Sequence, residues 1–276
     1  MPRVPISRLA CLRLGSLAAT VILAASACAE PVPTMPSADA STVGLWLFQE
    51  GQGDRVASAI SGGPAGRVHG AAWVPGIEGY ALATHCGYVS IPDTPAQRPA
   101  KALTVELWVK LARPGGDVLC KNSVYMLRLG SGSMTALLAV GGSRWRTING
   151  RRAVPIGKWT HLALAYDSAT RTAALYVDGQ LDVKQQLTGT TNGLLNQGTS
   201  ELRLGTNDWR PEGSEADGKI AAVRISNVAR TFEPLAAAQS AAAPALVPKG
   251  NLVPNGDFEL GLMGWRLAGE GDATLL

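Results

Sequence analysis

Apolar and polar residues alternate in short runs along most of this chain, the period of a half-buried strand. In "LTVELWVKL" (103–111), Leu103, Val105, Leu107, Val109 and Leu111 share one face, with Thr104, Glu106, Trp108 and Lys110 on the other. In "THLALAYD" (160–167), Leu162, Leu164 and Tyr166 share a face, opposite His161 and the preceding Trp159. "VGLWLF" (43–48) is apolar on both faces. "RTAALYVDGQLDV" (171–183) sets Asp178-Gly179 between two apolar runs, a strong two-residue hairpin signal. "ELRLG" (201–205) and "KIAAVRIS" (219–226) add two more strands, and no amphipathic helix of useful length precedes Glu233. Short strands separated by Gly-rich and Asn/Asp-rich turns predict an all-β sandwich of antiparallel sheets.

The pattern changes at both ends. Arg3, Arg8 and Arg13 precede a short apolar run, Leu14 to Ala25, and then "AASACAE". This is the layout of a secretory signal peptide over residues 1–29, with Ala27 and Ala29 as the small pair before the cut. Ala25-Ser26-Ala27-Cys28 also resembles a bacterial lipobox, with Ala25 where Leu is usual. The alternative is therefore a lipoprotein anchored at Cys28. Residues 30–41 are a Pro- and Ser-rich linker, and residues 233–250 an Ala- and Pro-rich connector. A new run, "NLVPNGDFELGLMGW" (251–265), starts after it.

Composition agrees with the strand reading. Apolar residues at 46% can build a core, while 32 Gly, 17 Pro and only 17% charged residues favour tight turns over long helices. The formal charge of +4 loses Arg3, Arg8 and Arg13 with the signal. What is left is no basic stripe for nucleic acid. The membrane enters only through the signal or a lipid on Cys28, and the expected location is secreted or cell-surface. Cys86 and Cys120 remain after the signal is removed, an even pair in an oxidising compartment. A disulfide between them and two separate buried thiols are both open.

Four blocks resemble the LamG-like jelly-roll domains of the concanavalin A-like lectin/glucanase superfamily. They are "VGLWLFQEGQGDRVASAISGGPAGRVHGAAWVPGIEGYALA"; "YVSIPDT" followed by "LTVELWVK"; "GKWTHLALAYDSATRTAALYVDGQLD"; and "LRLGTNDWRPEGSEADGKIAAVRISNVAR". They run in family order across residues 42–232, which implies a two-sheet antiparallel jelly-roll sandwich. The resemblance does not fix a function, because the superfamily holds lectins, adhesion modules and glycosidases. Residues 251–276 are similar to the first strand of CenC-type carbohydrate-binding modules. Twenty-six residues cannot bury a core, so a truncated piece of a longer protein is expected.

Laminarinase-type relatives use "E-x-D-x-x-E" on one strand, since two carboxylates must flank the scissile bond. Here Glu215-Ala216-Asp217 has no third acid, and His69, His85 and His161 lack zinc-ligand spacing. No enzyme is expected. The resemblance implies calcium as the one cofactor to consider. Ser58 and Ala221 replace the family's usual aspartates, which leaves Asp208, Glu215 and Asp217, beside Glu212, as alternative ligands. A solvated acidic loop is the competing reading.

Sugar sites stack a pyranose on an aromatic ring and bond its hydroxyls with amides and charged groups. Trp46, Trp108 and Trp159 match the family's own pattern and read as structural. Trp73, Trp145 and Trp209 sit in turn-rich stretches. Trp209, with Asn207, Asp208 and Arg210 beside it, is the leading sugar-binding position, and Trp145 the second. The expected function is a secreted, non-catalytic module of a larger extracellular protein that binds a polysaccharide or glycan. The alternatives are a LamG module that binds an extracellular protein, and an accessory part of a glycoside hydrolase.

Overall fold

The computed structural model describes residues 33–142, 145–189, 192–210, 213–235, 265–268 and 272–275. The signal segment, Cys28, Glu212, most of the Ala/Pro-rich connector and the run from Asn251 to Gly264 lie outside the described residues.

Two antiparallel sheets face each other. The first contains β1 (Thr42–Trp46), β4 (Ala72–Pro75), β5 (Tyr80–Ala83), β7 (Ala102–Leu111), β12 (Trp159–Asp167), β13 (Thr172–Val177), β14 (Gln180–Gln186) and β16 (Gly218–Ser226). Their order is β14-β13-β12-β7-β16-β5-β4, and β1 also pairs with β16. The second contains β2 (Arg55–Val56), β3 (Gly66–His69), β6 (Tyr88–Ile91), β8 (Gly116–Lys121), β9 (Tyr125–Gly130), β10 (Ser133–Ala139), β11 (Trp145–Ala153) and β15 (Leu202–Leu204). Their order is β11-β10-β9-β8-β15-β6-β3-β2. A three-residue 3-10 turn at Pro95–Gln97 lies between β6 and β7. A separate hairpin pairs β17 (Trp265–Ala268) with β18 (Asp272–Leu275). The predicted all-β jelly-roll sandwich is what the chain forms.

Alternation builds the core. Leu103, Val105, Leu107, Val109 and Leu111 of β7 are at most 2% exposed and meet the second sheet. Their partners across the gap include Leu119, Leu127, Met134 and Ala136. The β13–β14 turn has Asp178 at φ 51° and Gly179 at φ 72°, the two left-handed positions of a type I′ turn. A Cβ on Gly179 would overlap the Glu233 carbonyl oxygen.

The outer face of the first sheet is also covered. Trp108, Ala81, Ala221 and Ala222 form a small second core with Met35, Trp159 and Leu235 packed on it. The Trp108 indole donates to the Thr34 carbonyl at 3.2 Å, and Arg224 Nη1 to the Ser37 carbonyl at 2.8 Å. So Trp108 and Trp159 lie in a second packed layer, with residues 34–37 and 232–235 crossing above the sheet.

The outer face of the second sheet carries the register that matters for function. Between Asp117 and Leu119 of β8 the pairing with β9 slips, opposing Asp117 to Arg128 and Leu119 to Leu127. Two residues apart would ordinarily share a face. The bulge sends Leu119 into the core and leaves Asp117 outside.

Candidate functional site

A polar row crosses the outer face of the second sheet. Asp117 opposes Arg128, Arg128 opposes Thr135, and Thr135 opposes Asn149, one residue from each of β8 to β11. Arg128 Nε donates to Asp117 Oδ1 at 2.9 Å. Thr135 Oγ1 donates to Asn149 Oδ1 at 3.4 Å.

The loop after β15 folds over this row. Asn207, 1% exposed, holds it down by donating from Nδ2 to Asp117 Oδ2 at 2.5 Å. Its Oδ1 accepts from the backbone N–H of Trp209 at 3.1 Å and of Arg210 at 2.6 Å, an Asx-type turn. The Asp117 N–H donates to the Ser214 carbonyl at 2.7 Å, and the Ser214 hydroxyl to the Arg210 carbonyl at 2.5 Å. With its backbone fixed in this way, Trp209 stands out into solvent, 48% exposed. Between loop and sheet lies an open cleft of about 650 Å³, lined by Asp117, Arg128, Thr135, Asn207, Trp209 and Arg210 among others.

Asp117 is only 1% exposed, and both its oxygens are bound. Under the same loop lies Cys120. Burial first, then the negative charges of Asp208 and Asp117, pushes its thiol up to about 12.

Of the residues singled out in sequence, Asn207, Trp209 and Arg210 come together here. Asp208 does not line the cleft; its Oδ2 accepts from Asn122 Nδ2 at 3.0 Å. Trp145 sits half-buried at the start of β11, beside Arg146 and Gln185 in a different cavity of about 300 Å³. Asp208, Glu215 and Asp217 form no metal-holding group among the described residues. Glu215 Oε2 accepts from the Gly213 N–H at 2.7 Å, while Asp217 pairs with Arg113 at 2.8 Å. Asp117, Arg128 and Thr135 are the contributors that the sequence reading missed. Their signal was the alternation within "DVLC", "YMLRLG" and "SMTALLA", which the bulge interrupts.

The disulfide considered for Cys86 and Cys120 does not form, and both thiols are free. Cys120 pairs across to Arg203 of β15, and Arg203 to Ser90 of β6. Strand β15 therefore separates β8 from the strand that follows Cys86. Two strand spacings are about 9.5 Å, beyond the roughly 7 Å Cα limit of a disulfide.

A family profile described as concanavalin A-like lectin/glucanases superfamily matches residues 84–235. Solved structures share the fold at low identity. Domain 4 of AbnA, a GH43 extracellular arabinanase from Geobacillus stearothermophilus solved with arabinotriose, is 19% identical. The match covers 69% of this chain and 94% of that one, with TM-score 0.53. The binding domain of Paraclostridial Mosquitocidal Protein 1 is 11% identical over 69% of this chain and 50% of that one, with TM-score 0.56. Botulinum neurotoxin type C, described as entering cells through two ganglioside molecules, is 12% identical over 69% and 48%, with TM-score 0.55. The chain thus spans about half the length of the toxin chains it matches. No curated protein sequence matches it.

Proposed function

This chain belongs to the concanavalin A-like lectin/glucanases superfamily, and from that premise we propose that it is a secreted, non-catalytic carbohydrate-binding module. The observation that carries the reading is Trp209. A large aromatic ring is held half-exposed by a hydrogen-bonded turn, over a cleft floored with charged and hydroxyl side chains. A pyranose ring has an apolar face for the indole and a polar rim for the floor. The arabinanase domain solved with arabinotriose supports the reading by fold. So does the likeness of the run from Asn251 to the opening of CenC-type modules.

The cleft chemistry supports binding over turnover. Glycoside cleavage needs two carboxylates about 5–9.5 Å apart. Asp117 is the one carboxylate among the described lining residues, and it is committed to Arg128 and Asn207. The leader at residues 1–29 supports an extracellular setting. Wild type and Trp209→Ala, run against a panel of neutral and acidic polysaccharides by affinity electrophoresis, test the proposal. Retention of wild type with loss in the variant is expected; no retention of wild type on any glycan sinks it.

A further inference from the structure

Among the described charged and amide side chains of the Trp209 cleft, the free groups are hydrogen-bond donors. Both oxygens of Asp117 are used, by Arg128 Nε and by Asn207 Nδ2. The Asn207 Oδ1 is used by two backbone N–H groups. The principal side-chain acceptors of the floor are therefore spent inside the protein. The donors are not. Arg128 bonds Asp117 through Nε alone, and its side chain is still 43% exposed. Arg210 is exposed, and its guanidinium has no hydrogen-bond partner or counter-ion among the described residues.

Charge points the same way. Arg128 and Arg210 line the cleft against Asp117 alone, one positive charge in excess among the described lining residues. A neutral sugar presents mainly hydroxyls, each of which wants an acceptor as well as a donor. An anionic group takes donors only, and a guanidinium fork fits a carboxylate or a sulfate ester in two parallel bonds.

From this we propose that the cleft selects anionic saccharides, the sugar ring on Trp209 and the negative group on the free guanidinium nitrogens of Arg210 and Arg128. The inference rests on the glycan-binding reading and narrows its ligand class. Carboxylate (uronate) and sulfate ester share the required chemistry.

Two matched pairs of polymers separate the possibilities: polygalacturonate against its methyl ester, and dextran sulfate against dextran. Each is titrated with the full chain, with Arg210→Gln and with Trp209→Ala, all three checked for unchanged thermal unfolding. Wild type is expected to bind one charged polymer about tenfold or more tightly than its neutral twin. About 0.5 M salt should erase most of that preference. The charged polymer that wins identifies the anionic group. Arg210→Gln should cut the preference severalfold while keeping weak binding, since Arg128 remains, and Trp209→Ala should lose both. Equal binding of charged and neutral twins by wild type overturns the inference, as does a preference undiminished in Arg210→Gln. In either case the glycan-binding reading stands. Failure of wild type to bind any polymer, neutral or charged, overturns both.

Discussion

Glu106 holds His161 across the outer face of the first sheet, with carboxylate Oε2 and ring Nε2 3.2 Å apart. Arg224 Nε donates to the other oxygen at 2.7 Å, and all three side chains are at most 13% exposed. The carboxylate thus bridges two basic side chains under the covering segments. Glu106→Gln leaves Arg224 without its counter-charge, and a loss of about 3 kcal/mol of unfolding free energy is expected. Urea titration of the two proteins checks it.

The same contact sets part of the pH response. Burial pushes Glu106 up, but the bonds from His161 and Arg224 outweigh it and hold the group below the usual range. Asp93 is likewise held low by Lys121 and Arg98 against burial, and Asp39 by Ser41 and then Arg230. A depressed carboxylate stabilises the fold above its unfolded pKa and loses that contribution as pH falls through its folded pKa. Asp178, raised by burial, works in the opposite sense. Stability should therefore be flat from neutrality to about pH 5 and fall below about pH 4. Thermal melts across that range, repeated on Glu106→Gln, should show a shallower decline in the variant.

Truncation of residues 33–41 uncovers Trp108, now 2% exposed, and removes the acceptors of its indole and of Arg224. A red-shifted tryptophan emission, binding of a hydrophobic dye and a stability loss of about 2–4 kcal/mol are expected. An unchanged spectrum would show that the segment does not hold this layer closed.

The two thiols should differ sharply. Cys86 is exposed, whereas Cys120 is 1% exposed with its thiol pushed up to about 12. A thiol must ionise and be reachable to react. Labelling with a maleimide at neutral pH should modify Cys86 within minutes and Cys120 only in denaturant, as read by peptide mass spectrometry.

Trp209→Ala should weaken glycan binding by about tenfold or more with little change in melting temperature, because half the ring is already in water. Calorimetry and a thermal melt on one sample separate the two effects.

Much of this fold was legible because its central strands alternate aliphatic residues with a second face that carries polar and aromatic ones. The alternation in β7 and β12 assigned every inward residue correctly, and Asp178-Gly179 announced its own turn. The strands β8 to β11 were harder. Asp117 and Leu119 break the two-residue rule at a bulge, and no local signal marks one. The cleft was half visible for a related reason. Asn207, Trp209 and Arg210 are neighbours in sequence, whereas Asp117 meets Asn207 from 90 positions away. Asp208 looks equivalent to its neighbours in the sequence, yet the Asx turn on Asn207 directs it to Asn122 instead.

Residues 34–37 and 232–235 line one hollow above the first sheet, while the Trp209 loop caps the outer side of the second. Chain arrives and departs on the back of the sandwich, and the cleft opens on the front. A pull applied at residue 33 or at residue 235 is therefore taken up by the first sheet, on the opposite side of the sandwich from the Trp209 cleft.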